Sequence, residues 1–553
     1  MIKTLASKIV ALIDRCIHSE TDHPKLERAI FVFLFLMVLF LPHSIAASQT
    51  AWILGMLFLS FRLFLKPKIQ KTPLDKPLWA FALWSLVTCF FSYTPLISLD
   101  KMRSVAVFLI FYFVVNIVRS NFTATVLAFT LILSCMINVF YVPIERIIGR
   151  GVEIHGLRPD SPLSKALLMD GDTLLKANDK KIQSPEDLIE EIQKNEKTAI
   201  FFYRPDFYYT VEVNRSDLLR GESALEKLGI ESWSKSHNWR STGFYGHWTT
   251  YADVLQLIAS LTFGILVTLA SNLKIFSTRE NHRLTKRTNS EENTENYSNS
   301  PSADLENTSY VVSKKSLFQH LLFPINYRIG FLIIAFFFAM MVFALVLSGT
   351  RAPLAGLLIS TFVIVLLNKN RKIIYFSVAA GLSVILLVSI YLQQSRHTGF
   401  IDKNDDSTKY RQTVYKEAID LWIQKPRHLL FGVGMDSIRV YATEWKLFDS
   451  GRLPIGHFHS TPIQLLVERG LPALLIWIWI IFGYSKMLLS SISNSSEMLE
   501  KGILLGIFGG MIGFLISGIF HYNLGDQEVA MIFFFLMGIG FVIKNSHPST
   551  SKN

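Results

Sequence analysis

Long, nearly charge-free stretches alternate with polar ones along this chain. Apolar runs fall at about 29–47, 49–65, 78–97, 104–118, 122–142, 249–271, 329–348, 353–367, 373–392, 471–489, 502–520 and 528–544. A membrane-crossing helix needs about 20 apolar residues, so the pattern predicts an α-helical polytopic membrane protein of about 12 transmembrane helices. The first run is short and is followed by Ile45-Ala46-Ala47-Ser48. The leader before it carries acids as well as bases, and more runs follow at once, so an uncleaved helix is expected.

Between the runs lie three polar pieces, and they differ. Residues 272–328 contain Thr285-Lys286-Arg287 and a long Asn/Ser/Glu-rich stretch almost without large apolar side chains. Such a composition buries too little apolar surface to fold, and a disordered linker is expected. Residues 143–220 alternate short strands and turns. Val152–Ile154 reads as a strand, Ser161-Pro162 as a helix start, Asp170-Gly171-Asp172 as a tight turn and Thr173–Ala177 as a strand. Ser184-Pro185-Glu186-Asp187 caps an amphipathic helix through Ile192, and strands Ala199–Tyr203 and Tyr208–Val213 follow. A small α+β domain is expected there. In residues 393–470, Tyr410–Trp422 has helical periodicity, with Val414, Ala418, Leu421 and Trp422 on one face. Pro426 ends it, and Phe431-Gly432-Val433-Gly434 makes a glycine turn.

Charge then sets the orientation. The chain carries 55 Lys and Arg against 43 Asp and Glu, a net +12. In a membrane protein the first reading of that excess is the cytoplasmic retention of Lys and Arg in short loops, not a nucleic-acid partner. Lys66, Lys68, Lys71 and Lys76 follow the second run, Lys369, Arg371 and Lys372 the eighth, and Lys486 and Lys501 flank the turn after the tenth. Residues 43–48 and 521–527 hold no Lys or Arg. Both termini and 272–328 are therefore expected in the cytoplasm, with 143–248 and 393–470 on the far side. The expected organisation is 1–142 with helices one to five, 143–220 the small domain, 221–271 its approach to helix six, 272–328 the linker, 329–392 helices seven to nine, 393–470 a large outer loop, and 471–553 helices ten to twelve and the tail. Cys16, Cys89 and Cys135 give no disulfide or metal-ligand spacing.

Candidate chemistry gathers at the outer face, where charge beside hydrocarbon is costly. Arg351 sits in Ser348-Gly349-Thr350-Arg351, a connection too short to carry it away from the interface; its alternative role is a snorkelling anchor. Arg240 opens a stretch of small and aromatic residues, Ser241-Thr242-Gly243-Phe244-Tyr245-Gly246-His247-Trp248, which suits a sugar or headgroup surface or an interfacial aromatic belt. His457 and His459 precede Ser460-Thr461-Pro462, a helix start where a histidine can serve as general base or as a capped structural residue. Arg411 faces either an anion or solvent. No HExxH occurs, so a zinc protease is excluded by motif, and no metal site is expected.

Two resemblances follow from these residues. Residues 151–192, with the Ser161-Pro162…Ala166 helix, the Gly171-Asp172 turn and Ile182–Leu188, resemble a PDZ domain of the bacterial, protease-associated kind. The departure is Ala166-Leu167-Leu168, where that family often has Ala-Gly-Leu. The resemblance implies a carboxylate loop near Ile148-Gly149-Arg150-Gly151 and a peptide or protein partner added as a strand at a sheet edge.

The second resemblance rests on an ordered set: Arg240…Gly243…His247-Trp248…Ala252; Ser348-Gly349-Thr350-Arg351; Arg411…Ala418…Leu421…Pro426…Phe431-Gly432-Val433-Gly434; and His457-Phe458-His459-Ser460…Gln464-Leu465-Leu466-Val467-Glu468-Arg469-Gly470-Leu471-Pro472. In that order the motifs resemble the O-antigen ligase/polymerase family, most fully over 329–490. Family members typically carry His-Asn where this chain has His459-Ser460. The resemblance implies a GT-C-like glycosyltransferase in the bacterial inner membrane. It would move a glycan from undecaprenyl pyrophosphate to an acceptor hydroxyl at the periplasmic face, first of all lipid A-core. Arg240 and Arg351 would grip the pyrophosphate, with Arg411 and His457 also at the substrate. His459 would position or deprotonate the acceptor. A base opposite the leaving group favours inversion, and arginines in place of a metal imply metal independence, with no cofactor. Polymerisation of repeat units and transfer to protein hydroxyls share the motifs. A 12-helix transporter is the alternative of another class, but no internal repeat is evident.

Overall fold

The computed structural model describes residues 16–17, 23–204, 207–271, 273, 327–396, 406–495 and 497–545. The expected linker 272–328 lies almost wholly outside these residues.

The molecule is mostly helical. The principal helices are α1 (Pro24–Phe40), α2 (Ile45–Leu65), α3 (Asp75–Phe90), α4 (Asn121–Ile148), α5 (Trp248–Ser271), α6 (Tyr327–Leu347), α7 (Arg351–Asn368), α8 (Arg371–Arg396), α9 (Asp406–Ile423), α10 (Thr461–Asn494), α11 (Met498–Gly518) and α12 (Gln527–Asn545). Among the described residues seven helices are long and apolar enough to cross a membrane: α2, α4, α5, α6, α7, α10 and α11. This is the make-up of a multi-pass membrane protein. The run at 104–118 is broken, with short helices at Met102–Val105 and Leu109–Ile117 joined by a 3-10 turn.

Sequence sets the packing. Ser44 and Ser120 cap α2 and α4 by accepting the backbone N–H groups of Ala47 and Thr123. α5 is buried along almost its whole length. It lies against α11 through small residues: a Cβ on Gly264 would fall 2.3 Å from the Gly506 backbone nitrogen. Small residues allow such backbone contact, which drives helix association where no water is present to be expelled.

Polar contacts separate the two ends of the bundle. At one end Arg62 pairs with Glu27 at 3.3 Å and Asn121 donates to Glu500 at 2.6 Å. The other end gathers the loops after α1, α3, α6 and α11 and the two large polar regions.

The first of these regions is a six-stranded antiparallel sheet. Its strands are β1 (Arg150–Leu157), β2 (Thr173–Ala177), β3 (Lys180–Lys181), β4 (Lys197–Arg204), β5 (Phe207–Asn214) and β6 (Ile230–Ser236), in the order β5-β4-β2-β1-β6, with β3 beside β2. The helix Pro185–Lys194 carries the capping box of Ser184 and Asp187. Its Leu188, Ile189 and Ile192 close a core with Val152, Ile154, Leu174, Ile200 and Phe202. The domain does not follow the expected limits 143–220. α4 runs on to Ile148, and β6 pairs with β1, Ile154 opposite Trp233. Residues 221–236 carry no strong alternation, so only pairing with β1 reveals the strand. Leu167, where the PDZ-like pattern has glycine, lies at φ 66, a left-handed conformation that favours glycine.

The second region is helical. α9 buries Val414, Ala418 and Leu421 against Val433, Phe448, Phe458 and Val467. Pro426 starts a further helix, Pro426–Phe431, besides ending the one before.

Candidate active site

The two conspicuous motifs of the second region interlock. α10 is kinked at Gly470 (φ 75), and Pro472 follows. Proline lacks the N–H that would reach the carbonyl four residues back. The freed Glu468 carbonyl accepts Gly434 N–H at 3.0 Å, and the Val467 carbonyl accepts Val433 N–H at 2.8 Å. A Cβ on Gly470 would lie 2.1 Å from the Leu430 oxygen, and one on Gly432 would lie 2.3 Å from the Glu468 carbonyl carbon. The Phe-Gly-Val-Gly turn is thus threaded into the helix kink. This fixes the start of α10 and the histidines before it.

Those histidines sit on a tightly bonded loop. Phe458 N–H donates to Gln464 Oε1 at 2.8 Å, and His459 N–H donates to His457 Nδ1 at 3.1 Å. The rings of His457 and His459 are 4.3 Å apart. His459 is left-handed (φ 48), and Tyr415 holds it there by donating its hydroxyl to the His459 carbonyl at 2.9 Å. Thr461 N–H and Oγ1 both donate to the His521 carbonyl, so this loop is pinned to the α11–α12 connection. Burial first, then the charges of His457, His521, Arg411 and His247, push the His459 imidazole down to about 2. Burial and Arg439 push His457 down to about 4. Both rings are neutral at physiological pH.

The arginines approach from neighbouring loops. Arg240 Nε donates to the Ser348 carbonyl at 3.0 Å, and its Nη2 to Gly349 O and Thr350 Oγ1 at 3.3 and 3.1 Å. Arg240 therefore braces the turn that delivers Arg351, the first residue of α7. Arg351 is half-buried at the positive end of that helix dipole. Cation and helix N-terminus together favour an anion. The Arg240 guanidinium lies 4.4 Å over Trp248, and Tyr208 of β5 stacks on the same indole at 5.9 Å. Arg150 lies 4.4 Å over Trp239 and near Tyr203 and Tyr208. The small domain thus reaches the site through an aromatic ladder. Arg411 Nη1 donates to Ser407 Oγ at 2.8 Å within its own helix, while its charge acts on His459.

Sequence reasoning missed several neighbours. Asp253 of α5 is buried, pairs with His521 Nδ1 at 3.2 Å and accepts from the Ser517 hydroxyl. Asp526 accepts from Thr250 Oγ1 at 3.0 Å, and burial pushes its carboxyl up to about 7. Arg469 donates to Ser85 and Tyr522, and Tyr522 stands edge-on to His457. A carboxylate inside the otherwise uncharged run 249–271 was the available signal for Asp253. Among the described residues no group of three or more His, Cys, Asp or Glu side chains is arranged to hold a metal ion.

Residues 336–478 match the family model of O-antigen ligase. The match runs from α6 into α10 and contains Arg351, Arg411, His457 and His459, while Arg240, Asp253 and His521 lie outside it. No curated protein matches the chain.

Proposed function

We propose that this protein is an O-antigen ligase-like glycosyltransferase of the bacterial inner membrane. It moves a glycan from undecaprenyl pyrophosphate to a hydroxyl, first of all on lipid A-core, with both termini in the cytoplasm and the site at the periplasmic face. The observation that carries the reading is the convergence of Arg240, the Arg351 turn and the His457–His459 loop at one end of an apolar bundle, within a region that largely coincides with the ligase-family match.

The chemistry of these residues fits the reaction. As the glycosidic bond breaks, its electron pair passes to the pyrophosphate oxygen. Arg240 and Arg351 then stabilise the charge that develops, with donors already oriented. The neutral imidazole of His459 takes the acceptor hydroxyl proton as the new glycosidic bond forms on the opposite face, with inversion. In the resting site its basicity is depressed first by burial and then by neighbours that include the Arg411 cation. A bound polyanion opposes the Arg411 charge and raises it, so proton uptake is coupled to donor binding. With guanidiniums serving the leaving group, transfer is independent of divalent metal and of any cofactor.

Polymerisation and transfer to protein use the same groups. The PDZ-like insert beside Arg240 favours a peptide or protein partner in the latter case. Lipids extracted from a deletion strain separate the readings. Polyprenyl-linked polymer with bare lipid A-core marks a ligase, single-unit lipid-linked material a polymerase, and unglycosylated protein alone a protein transferase. Unchanged glycolipids and glycoproteins refute all three.

A further inference from the structure

Behind the histidine loop lies a buried acid–imidazole pair that the assignment above does not use. Asp253 and His521 are 1% and 5% exposed. Asp253 Oδ2 accepts from His521 Nδ1 at 3.2 Å, and its other oxygen accepts from Ser517 Oγ. A carboxylate accepts only, so Nδ1 carries the hydrogen of this bond. Such a pair fixes an imidazole's tautomer and stabilises the imidazolium when it forms.

Its position connects it to the site twice. The His521 carbonyl takes both hydrogen bonds of Thr461, two residues beyond His459. The adjacent Tyr522 stands 5.9 Å, edge-on, from His457, and its hydroxyl accepts from Arg469 Nη2 at 3.4 Å. The ionisable groups facing this point come from every surrounding element: Asp253 and His247 at the start of α5, His457 and His459 before α10, Arg469 in α10, Arg411 in α9, Arg240 before α5, and Asp526 beyond α11.

We propose that Asp253 and His521 act as a positioning pair behind His459, an inference that rests on the transferase reading above. The acceptor O–H breaks with its proton on His459. The new C–O bond forms as the bond to pyrophosphate breaks with its electron pair on the leaving oxygen. Asp253 holds the His521 side chain, and the His521 carbonyl in turn holds Thr461 and the loop that presents His459.

The test uses the full-length protein in lipid nanodiscs with 15N-labelled histidine. Wild type is compared with Asp253→Asn and, because a buried substitution can impair folding, with His521→Asn, whose amide retains a donor toward Asp253. Thermal melting identifies the folded variants. With a polyprenyl-pyrophosphate glycan as donor, Asp253→Asn is expected to lower the turnover number about 100-fold with donor KM unchanged, and to move the acid limb of the pH profile. The His457 and His459 resonances are expected to titrate at a different pH. An unchanged pH profile with unchanged His457 and His459 titration in a folded variant overturns the pair's role. A wild-type chain that transfers nothing from any such donor removes the transferase reading instead, and the resonance comparison then decides the coupling alone.

Discussion

The two folded polar regions, residues 150–236 and 406–470, are built in opposite ways. The first has its own sheet, its own capped helix and its own apolar core, and it touches the site at a few rings: Tyr208 on Trp248, and Arg150 beside Trp239. The second completes its core only with Val467 of α10 and Tyr93 from the loop after α3, and its glycine turn is threaded into a helix kink. A self-contained domain can be altered with small effect at a distance. A segment whose backbone hydrogen bonds end in membrane helices cannot be moved without moving the site.

The comparison predicts graded damage. The largest effect is expected from the chemical groups of the docked segment and the arginine turn. His459→Ala should lower transfer by at least about 100-fold, and Arg351→Lys should lose most activity because lysine cannot make the planar bidentate contact. Near-full transfer by either, measured with radiolabelled donor, removes that residue from the mechanism. Next comes Gly470→Ala, which adds a Cβ against the Leu430 carbonyl in a backbone conformation reserved for glycine. A cost of about 3 kcal/mol and loss of activity are expected together, read by thermal melting and turnover. If the enzyme retains both, the threading is not what holds the histidine loop.

Changes in the small domain should be milder. Tyr208→Ala removes the stack on Trp248 but leaves the Arg240 bonds to Ser348 and Thr350, so donor KM should rise by about threefold with turnover number little changed. A fall in turnover number equal to that of Arg351→Lys would make the domain part of the catalytic apparatus. Leu167→Gly relieves a left-handed leucine on the domain surface and should stabilise the domain by up to about 1 kcal/mol. A lower melting temperature contradicts this.

Stability against pH reports on the buried titratable groups of the candidate site. Asp526 is raised to about 7 from an ordinary 3.8, so the folded chain holds that proton more tightly. Its effect on stability falls as pH rises through that window and is flat above about 7. The folded-state values of His457 and His459, about 4 and about 2, lie below the ordinary 6.5, so their neutral burial costs stability as pH falls below 6.5. Asp526→Asn should therefore be stabilised relative to wild type near pH 8, and His457→Gln should flatten the loss on the acid side. Parallel pH curves for wild type and variants argue against both assignments.

Much of this was legible along the chain. Seven of the apolar runs coincide with helices long and apolar enough to cross a membrane among the described residues, because burying a helix in hydrocarbon requires an unbroken apolar stretch, whatever its neighbours. The capping box at Ser184 and the strand Thr173–Ala177 were legible because capping and alternation are local. The strand β6 was not, since its pairing with β1 spans a separation of some 80 residues and leaves no alternation in its own sequence. The motif residues Gly432, Val433, Gly434 and Gly470 could be seen as turns and a helix break, but not as partners of one another.

What the sequence by itself determined is the long apolar helices, the capped helix of the small domain and most of its strands, because hydropathy, capping and alternation act over a few residues at a time. What only the tertiary structure decided is which charges meet. Arg240 bracing the Arg351 turn, Tyr208 stacked behind it, and Asp253 paired with His521 beneath the histidine loop all join residues 40 to 268 positions apart. Such pairings depend on helix packing through Gly264 and Gly506 and on the kink at Gly470, and no local pattern encodes them.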